Sequence, residues 1–166
     1  MNKLNPAKHL ILVDGSGFIF RAYHALPPLK RSDGTPTGAV SGYCNMLFKL
    51  INGIKEFNAT HIAVVFDHKD KTFRSDIYNE YKANRPPPPD DLVPQFKLIR
   101  EATEAFGFFA IDKKGYEADD IIATISENAI EEDAIVTIFS SDKDLMQLVS
   151  DKIKMYDPIR LSLIHI

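Results

Sequence analysis

Short unbroken apolar runs alternate along this chain with longer stretches whose apolar residues recur every three or four positions. His9-Leu10-Ile11-Leu12-Val13 is the first run, of the kind expected for a strand buried on both faces. His61 to Phe66 and Ala134 to Phe139 repeat it, Phe108-Phe109-Ala110-Ile111 is a weaker version, and Ile153 to Tyr156 is a short final candidate. Between the first two runs, Val40, Tyr43, Leu47, Leu50, Ile54 and Phe57 mark an amphipathic helix. Leu92, Phe96, Ile99, Thr103 and Phe106 form a second stripe, with Asp90 and Asp91 placed to cap it and Gly107 placed to close it. Ile121, Ile122, Ile125 and Ala129 give a third, and Leu145, Leu148 and Val149 begin a last helix. Strand, helix, strand at this spacing implies right-handed crossovers. The fold class is therefore α/β, with a mostly parallel central sheet and helices on both faces. Arg21 to Thr37, with its prolines and the turn Ser32-Asp33-Gly34, reads as a surface loop, and Pro86 to Pro89 as a stiff spacer.

Three of these strands run into aspartate: Asp14, Asp67, and Asp142 with Asp144 close behind. Parallel strands bring their carboxyl ends to one edge of the sheet, which is where ligands bind in open α/β folds. The stretch Gly115-Tyr116-Glu117-Ala118-Asp119-Asp120 follows a strand and opens a helix, so it belongs at the same edge. Acids favour a helix N-terminus because the macrodipole is positive there, which accounts for one or two of them. Seven carboxylates meeting at one place (Asp14, Asp67, Glu117, Asp119, Asp120, Asp142 and Asp144) ask for more. Crowded like charges cannot all stay ionised without compensation. Oxygen-only donors favour hard ions, Mg²⁺ or Mn²⁺, and two such ions about 4 Å apart suit phosphoryl displacement. Gly15 and Gly17 would let a backbone approach phosphate, but Phe20 stands where a dinucleotide fingerprint needs its third glycine, and there is no Walker lysine loop.

Charge sharpens this picture. The net charge of −3 argues by itself against a nucleic-acid binder. From Glu117 to Asp144, however, nine acids face one base, a local −8, so the rest of the chain carries +5. Lys69, Lys71, Phe73, Arg74, Tyr78, Tyr81, Lys82 and Arg85 interleave bases with aromatics, a pattern that can neutralise phosphates and stack on unpaired bases. With 166 residues, 45% of them hydrophobic, one globular domain is expected. No apolar run approaches the ~20 residues of a bilayer span. Met1 to Lys8 lacks the apolar segment of a signal peptide, and the single Cys44, expected in the core beside Tyr43 and Met46, cannot form an internal disulfide. These features point to the cytoplasm, with no membrane partner.

Leu12-Val13-Asp14-Gly15, Val65-Phe66-Asp67, Phe73-Arg74, Tyr81-Lys82-Ala83-Asn84-Arg85, Gly115 to Asp120 and Ser141-Asp142-Lys143-Asp144-Leu145, in this order, closely resemble the 5′-nuclease family. The resemblance covers roughly residues 9 to 158, with an arch or clamp segment at about 68–90. It implies a PIN-like three-layer fold and metal-dependent 5′–3′ exonuclease or flap endonuclease cleavage of DNA near 5′ ends, in replication and repair, by a monomer. It makes Asp14, Asp67, Glu117 and Asp119 ligands of a first metal, with Asp120, Asp142 and Asp144 completing an acidic site whose second-metal set is incomplete. Tyr81, Lys82 and Arg85 fall on the family's helical arch, Lys82 and Arg85 at the scissile phosphate, with Arg21, Phe73 and Arg74 as further DNA contacts. Residues 159–166 depart from the family pattern and are expected to be a non-family tail. The chain's partners would be DNA with 5′ ends or 5′ flaps, or the RNA of RNA–DNA hybrids, and the alternatives are a truncated remnant of the domain with little activity and a PIN-type ribonuclease.

Overall fold

The computed structural model describes residues 8–157 and 162–164. The first apolar run forms β1 (His9–Asp14), whose last four residues are buried. Beside it lie β2 (His61–Val65) on one side and β4 (Ile135–Phe139) on the other, both parallel to it. The sheet continues with β3 (Phe109–Ile111) outside β2 and β5 (Ile153–Asp157) outside β4, again parallel. A sixth strand that the sequence pattern does not predict, β6 (Ser162–Ile164), pairs antiparallel with β5. The order is β3-β2-β1-β4-β5-β6.

Side chains alternate along β1, and so divide its buried residues between two cores. Ile11 and Val13 pack with Val64 under α1 (Gly15–Ala25), α2 (Gly38–Ile54) and α4 (Val93–Ala105), where Phe18, Tyr43, Leu47 and Ile99 are buried. Leu12 packs on the other face with Ile138, Met155 and the Ala118, Ile121 and Ile122 side of α5 (Ala118–Glu131). Right-handed crossovers require this split: the chain steps from β1 to β2 to β3 in one direction with helices on one face, then returns to β4 with α5 on the other. The three-layer α/β fold is as expected. Because β2 and β4 lead away from β1 in opposite directions, a crevice opens outside the carboxyl ends of β1 and β4.

Four local expectations are corrected. The expected surface loop from Arg21 to Thr37 is helical over its first five residues, which continue α1 (Gly15–Ala25), because Asp14 accepts the Gly17 N–H at 2.8 Å as an N-cap and Phe18, Ile19 and Ala22 find the core. Asp90 and Asp91 do not cap α4; Asp91 accepts the Tyr23 hydroxyl instead, at 2.9 Å. The predicted last helix is a short 3₁₀ helix, Lys143–Leu148, after which Val149 is extended. Cys44 is half-buried on α2, outside the core. The end of α4 is as predicted, with Gly107 at φ 83°, a left-handed position that only glycine adopts without cost. Among the described residues, no helix is long and apolar enough to cross a membrane.

Candidate active site

Asp14 lies at the centre of the crevice. Its Oδ1 accepts from Gly17 N and its buried Oδ2 accepts from the Ser140 hydroxyl at 2.8 Å, so β1, α1 and the end of β4 all fix one carboxylate. The two glycines make this possible by their lack of a side chain. A Cβ on Gly17 would stand 2.5 Å from Asp14 Oδ2, and one on Gly15 would stand 2.5 Å from the Phe66 ring. They serve close packing around the acid. Burial raises the pKa of Asp14, against which its two hydrogen bonds work, and the nearby Asp67 and Asp142 raise it further.

Asp67 stands two residues past β2. Its backbone N–H reaches Ser16 Oγ at 2.9 Å and its Oδ1 accepts Ala118 N–H at 2.8 Å, tying the strand end to the first turns of α1 and α5. Asp119, in that first turn of α5, meets the charges of Asp14, Asp142, Asp67 and Glu117. Burial first, and then these neighbours, push its pKa up to about 6. Asp142, exposed just past β4, donates its backbone N–H to Ser140 Oγ at 3.0 Å and accepts Asp144 N–H at 2.9 Å. Asp144 itself is exposed. Five of the seven predicted carboxylates therefore act on one another at the crevice: Asp14, Asp67, Glu117, Asp119 and Asp142. They are near neighbours and not yet a cage. Among the described residues no three His, Cys, Asp or Glu side chains are already gathered around one point as metal ligands. The donor chemistry nevertheless fits a hard divalent cation: oxygens only, with two acids held above their ordinary pKa by crowding and burial.

Asp120 faces elsewhere. Arg74 donates to both of its oxygens at 2.6 Å, and this pair holds the Asp120 carboxyl below the usual range and raises the guanidinium. Glu117 is likewise engaged, by Lys82 Nζ at 2.8 Å and the Tyr81 hydroxyl at 3.1 Å. Burial alone would lower Lys82, but the Glu117 hydrogen bond and charge outweigh it, and Lys82 titrates above an ordinary lysine. The base-and-aromatic segment thus lies over the acid edge. It is not the helical arch that the resemblance implies, since only α3 (Phe73–Ile77) is helical and Tyr78 to Arg85 is a run of turns. Lys82 takes a left-handed φ of 55° there.

The remaining predicted contacts divide. Phe73 packs on Tyr116, ring centres 5.7 Å apart, under the Arg74 guanidinium at 4.7 Å. Arg85 is exposed and close enough to Lys82 to oppose its charge. Arg21 does not join the edge: it lines a groove of about 730 Å³ between α1 and α2, with Lys49, Phe139 and Tyr156, and its Nη1 is buried without a hydrogen-bond partner there. Three positioning residues escape the sequence reading. Ser140 and Ser16 hold Asp14 and the Asp67 backbone, and Arg100 donates to the Asp67 carbonyl at 3.2 Å, pairs with Asp112 at 2.6 Å and covers Phe66. The position of Ser140 directly after the apolar run of β4, two residues before Asp142, was the available signal for it; nothing in the α4 pattern singles out Arg100.

The chain is thus an α/β domain with an acidic crevice at the switch point of its parallel strands, covered by bases and aromatics. The chain belongs to the family described as 5′-3′ exonuclease, N-terminal resolvase-like domain, whose sequence model matches residues 9–165. It is 58% identical over 163 residues to DNA polymerase I of Rhizobium leguminosarum, covering 95% of this chain and 16% of that one. It is 43% identical over 152 residues to a 5′-3′ exonuclease of Aquifex aeolicus, covering 92% of this chain and 52% of the relative. Its fold is similar to that of the bacteriophage T5 5′-exonuclease solved with zinc ions bound, with a TM-score of 0.73 at 24% identity, over 95% of this chain and 58% of that one. The chain thus spans about a sixth of the polymerase and about half of the stand-alone exonuclease.

Proposed function

We propose that this domain is the metal-binding half of a 5′–3′ exonuclease or flap endonuclease that hydrolyses DNA phosphodiesters near 5′ ends, in replication and repair. The observation that carries the reading is Asp119, half-buried among four other carboxylates beneath a segment that presents Tyr81, Lys82 and Arg85. The chemistry of its relatives supports it, since a T5 flap endonuclease has been solved with DNA and metal ions. Asp14, Asp67, Glu117, Asp119 and Asp142 would hold the cation, Mg²⁺ or Mn²⁺, with Asp144 at the rim for a second ion whose ligand set is incomplete. Bound there, divalent ions supply a nucleophilic water at neutral pH and charge neutralisation at the leaving oxygen.

The chain's own residues do the rest. Ser140 and the Gly17 N–H keep Asp14 in one orientation, so this ligand needs no reorganisation on loading. Lys82 and Arg85 neutralise the phosphates flanking the scissile bond, and Tyr81 offers a stacking face to the first unpaired base. Engaging DNA requires Lys82 and Tyr81 to leave Glu117, which frees both oxygens of that acid for a cation.

Incubation of the chain with a labelled 5′-flap duplex, with Mg²⁺, with Mn²⁺ and with EDTA, tests this. Short 5′ products that require metal and vanish in Asp119→Asn are expected. An all-RNA flap cut in preference to DNA would replace this reading by a PIN-type ribonuclease, and metal-independent products would end it.

A further inference from the structure

Helix periodicity puts Glu117 and Asp120 on one face with Asp119 beside it, and the structure gives each side its own partners. Adjacent helix positions point about 100° apart. Asp119 accordingly meets Asp14, Asp67 and Asp142 across the crevice, while Asp120 meets Arg74. Both Asp120 oxygens are occupied: Oδ1 by Arg74 Nη2 and Oδ2 by Arg74 Nη1, each at 2.6 Å, with the Glu117 N–H adding a third contact to Oδ2 at 3.0 Å. A bidentate guanidinium–carboxylate fork fixes angle as well as distance. Building on the nuclease reading, we propose that Asp120 is a positioning residue and not a metal ligand: through Arg74 it anchors the base-and-aromatic segment to the start of α5 and sets where Tyr81 and Lys82 stand over the acid edge.

The contacts run in one chain. The Arg74 guanidinium lies 4.7 Å from the Phe73 ring and 5.9 Å from the Tyr81 ring. Tyr81 and Lys82 then each reach one oxygen of Glu117. A backbone bond from Phe73 N to Gly115 O, 3.0 Å, fixes the same end of the segment. Since α3 buries no residue and Phe73 only rests against the exposed Tyr116 ring, packing contributes little to holding this segment in place. The fork is its strongest fixed point, and it sits on the helix that carries Asp119, so the metal edge and the phosphate-binding side chains share one reference frame.

Trypsin cleavage after Lys82 in the metal-free chain, followed site by site, tests the anchor. Asp120→Asn keeps an acceptor for the Glu117 N–H and so preserves the start of α5. Asp120→Asn and Arg74→Ala are each expected to speed cleavage about tenfold, with the double variant no faster than either, because both remove one contact. Arg74→Lys keeps the charge without the fork and should match Arg74→Ala. Additive effects, wild-type rates in the single variants, or full protection in Arg74→Lys would overturn the anchor. A Mn²⁺ titration of the same proteins tests the other half: Asp120→Asn should bind within about twofold of wild type, and Asp119→Asn about tenfold more weakly or worse. Equal losses in both variants would make Asp120 a ligand and overturn the proposal. A wild type that binds no Mn²⁺ overturns the nuclease reading instead, and the cleavage rates still decide the anchor.

Discussion

Asp14 ends a strand whose last four residues are buried, whereas Lys82 stands in a segment whose one helix, α3, buries none. The acids of this site ride on elements that the two cores hold from both faces of the sheet. The bases ride on residues 68–90, tied down by hydrogen bonds and ion pairs to those same acids. On the nuclease reading, a site built this way would have one rigid partner and one that exchanges for substrate, with phosphates competing with Glu117 for Lys82 through charge at short range and leaving the sheet undisturbed.

The contrast predicts its largest difference in stability. Leu12 is fully buried at the centre of the α5-side core, and Leu12→Ala should cost about 2–5 kcal/mol. Ile77, 79% exposed on α3, should cost within about 0.5 kcal/mol when changed to Ala. Urea midpoints of the two variants check this directly. Comparable losses would mean that the segment is part of the packed scaffold after all.

Next in size is an effect on binding with no counterpart in folding. Tyr81→Ala should weaken binding of a 5′-overhang oligonucleotide by about 1–3 kcal/mol through lost stacking. Lys82→Ala combined with Arg85→Ala should flatten the dependence of log affinity on log salt by about two units at most. Fluorescence anisotropy at several salt concentrations measures both. Unchanged binding in the first variant and an unchanged slope in the second would leave the segment an ordinary solvated surface.

How much of this was legible in the sequence follows the same division. The five parallel strands, α2, α4 and α5 were readable because burial on one or both faces imposes a period on the apolar residues, as in the Val40 to Phe57 stripe, whose last residue lies on a 3₁₀ turn after α2. The meeting of Asp14, Asp67, Asp119 and Asp142 was readable because parallel topology alone carries strand ends to one edge. Helix α1 was not, since Gly15 and Gly17, bad helix formers, are there to let the backbone approach Phe66 and Asp14. Nor was the Arg74 partner of Asp120, or the turns in place of an arch over Tyr78 to Arg85. Those depend on which acid a particular base reaches, and polar pairing across 46 residues, as between Arg74 and Asp120, leaves no periodic trace.

A smaller effect separates the acids themselves. In the metal-free chain the folded Asp119 holds its proton up to about pH 6, above the unfolded value near 3.8. Its contribution to stability is therefore fully present below about pH 4 and is lost as pH rises through 6, an effect of about 1 kcal/mol once solvent screening is allowed for. Asp119→Asn should remove that step, so that in EDTA the variant melts above wild type at pH 7 and level with it at pH 4. Saturating Mg²⁺ should raise the wild-type melting temperature at pH 7 and do less for the variant. A wild type insensitive to Mg²⁺, melting level with Asp119→Asn at pH 7, would show that these carboxylates do not strain one another.

The smallest effect lies at Lys82, where two opposing contributions nearly cancel. Its pair with Glu117 is partly exposed, with side-chain accessibilities of 33% and 12%, and pairs of that kind contribute about 0.5–1 kcal/mol. Its left-handed φ of 55° works against this, at about 1 kcal/mol for a residue with a Cβ. Lys82→Ala loses the pair and keeps the strained backbone, so it should lower stability by about 0.5 kcal/mol, roughly 2 °C in Tm for a domain of this size. Lys82→Gly loses the pair and the strain together. It should melt above Lys82→Ala and about level with wild type, its gain in the folded state trimmed by the greater freedom of glycine in the unfolded chain. Calorimetry of the three metal-free proteins resolves shifts of this size. Should Lys82→Gly melt below Lys82→Ala, the left-handed turn is not what the folded segment adopts in solution. Should either variant fall as far as Leu12→Ala, Lys82 is fixed by the scaffold, and the distinction between a packed acid edge and an exchangeable basic cover is lost.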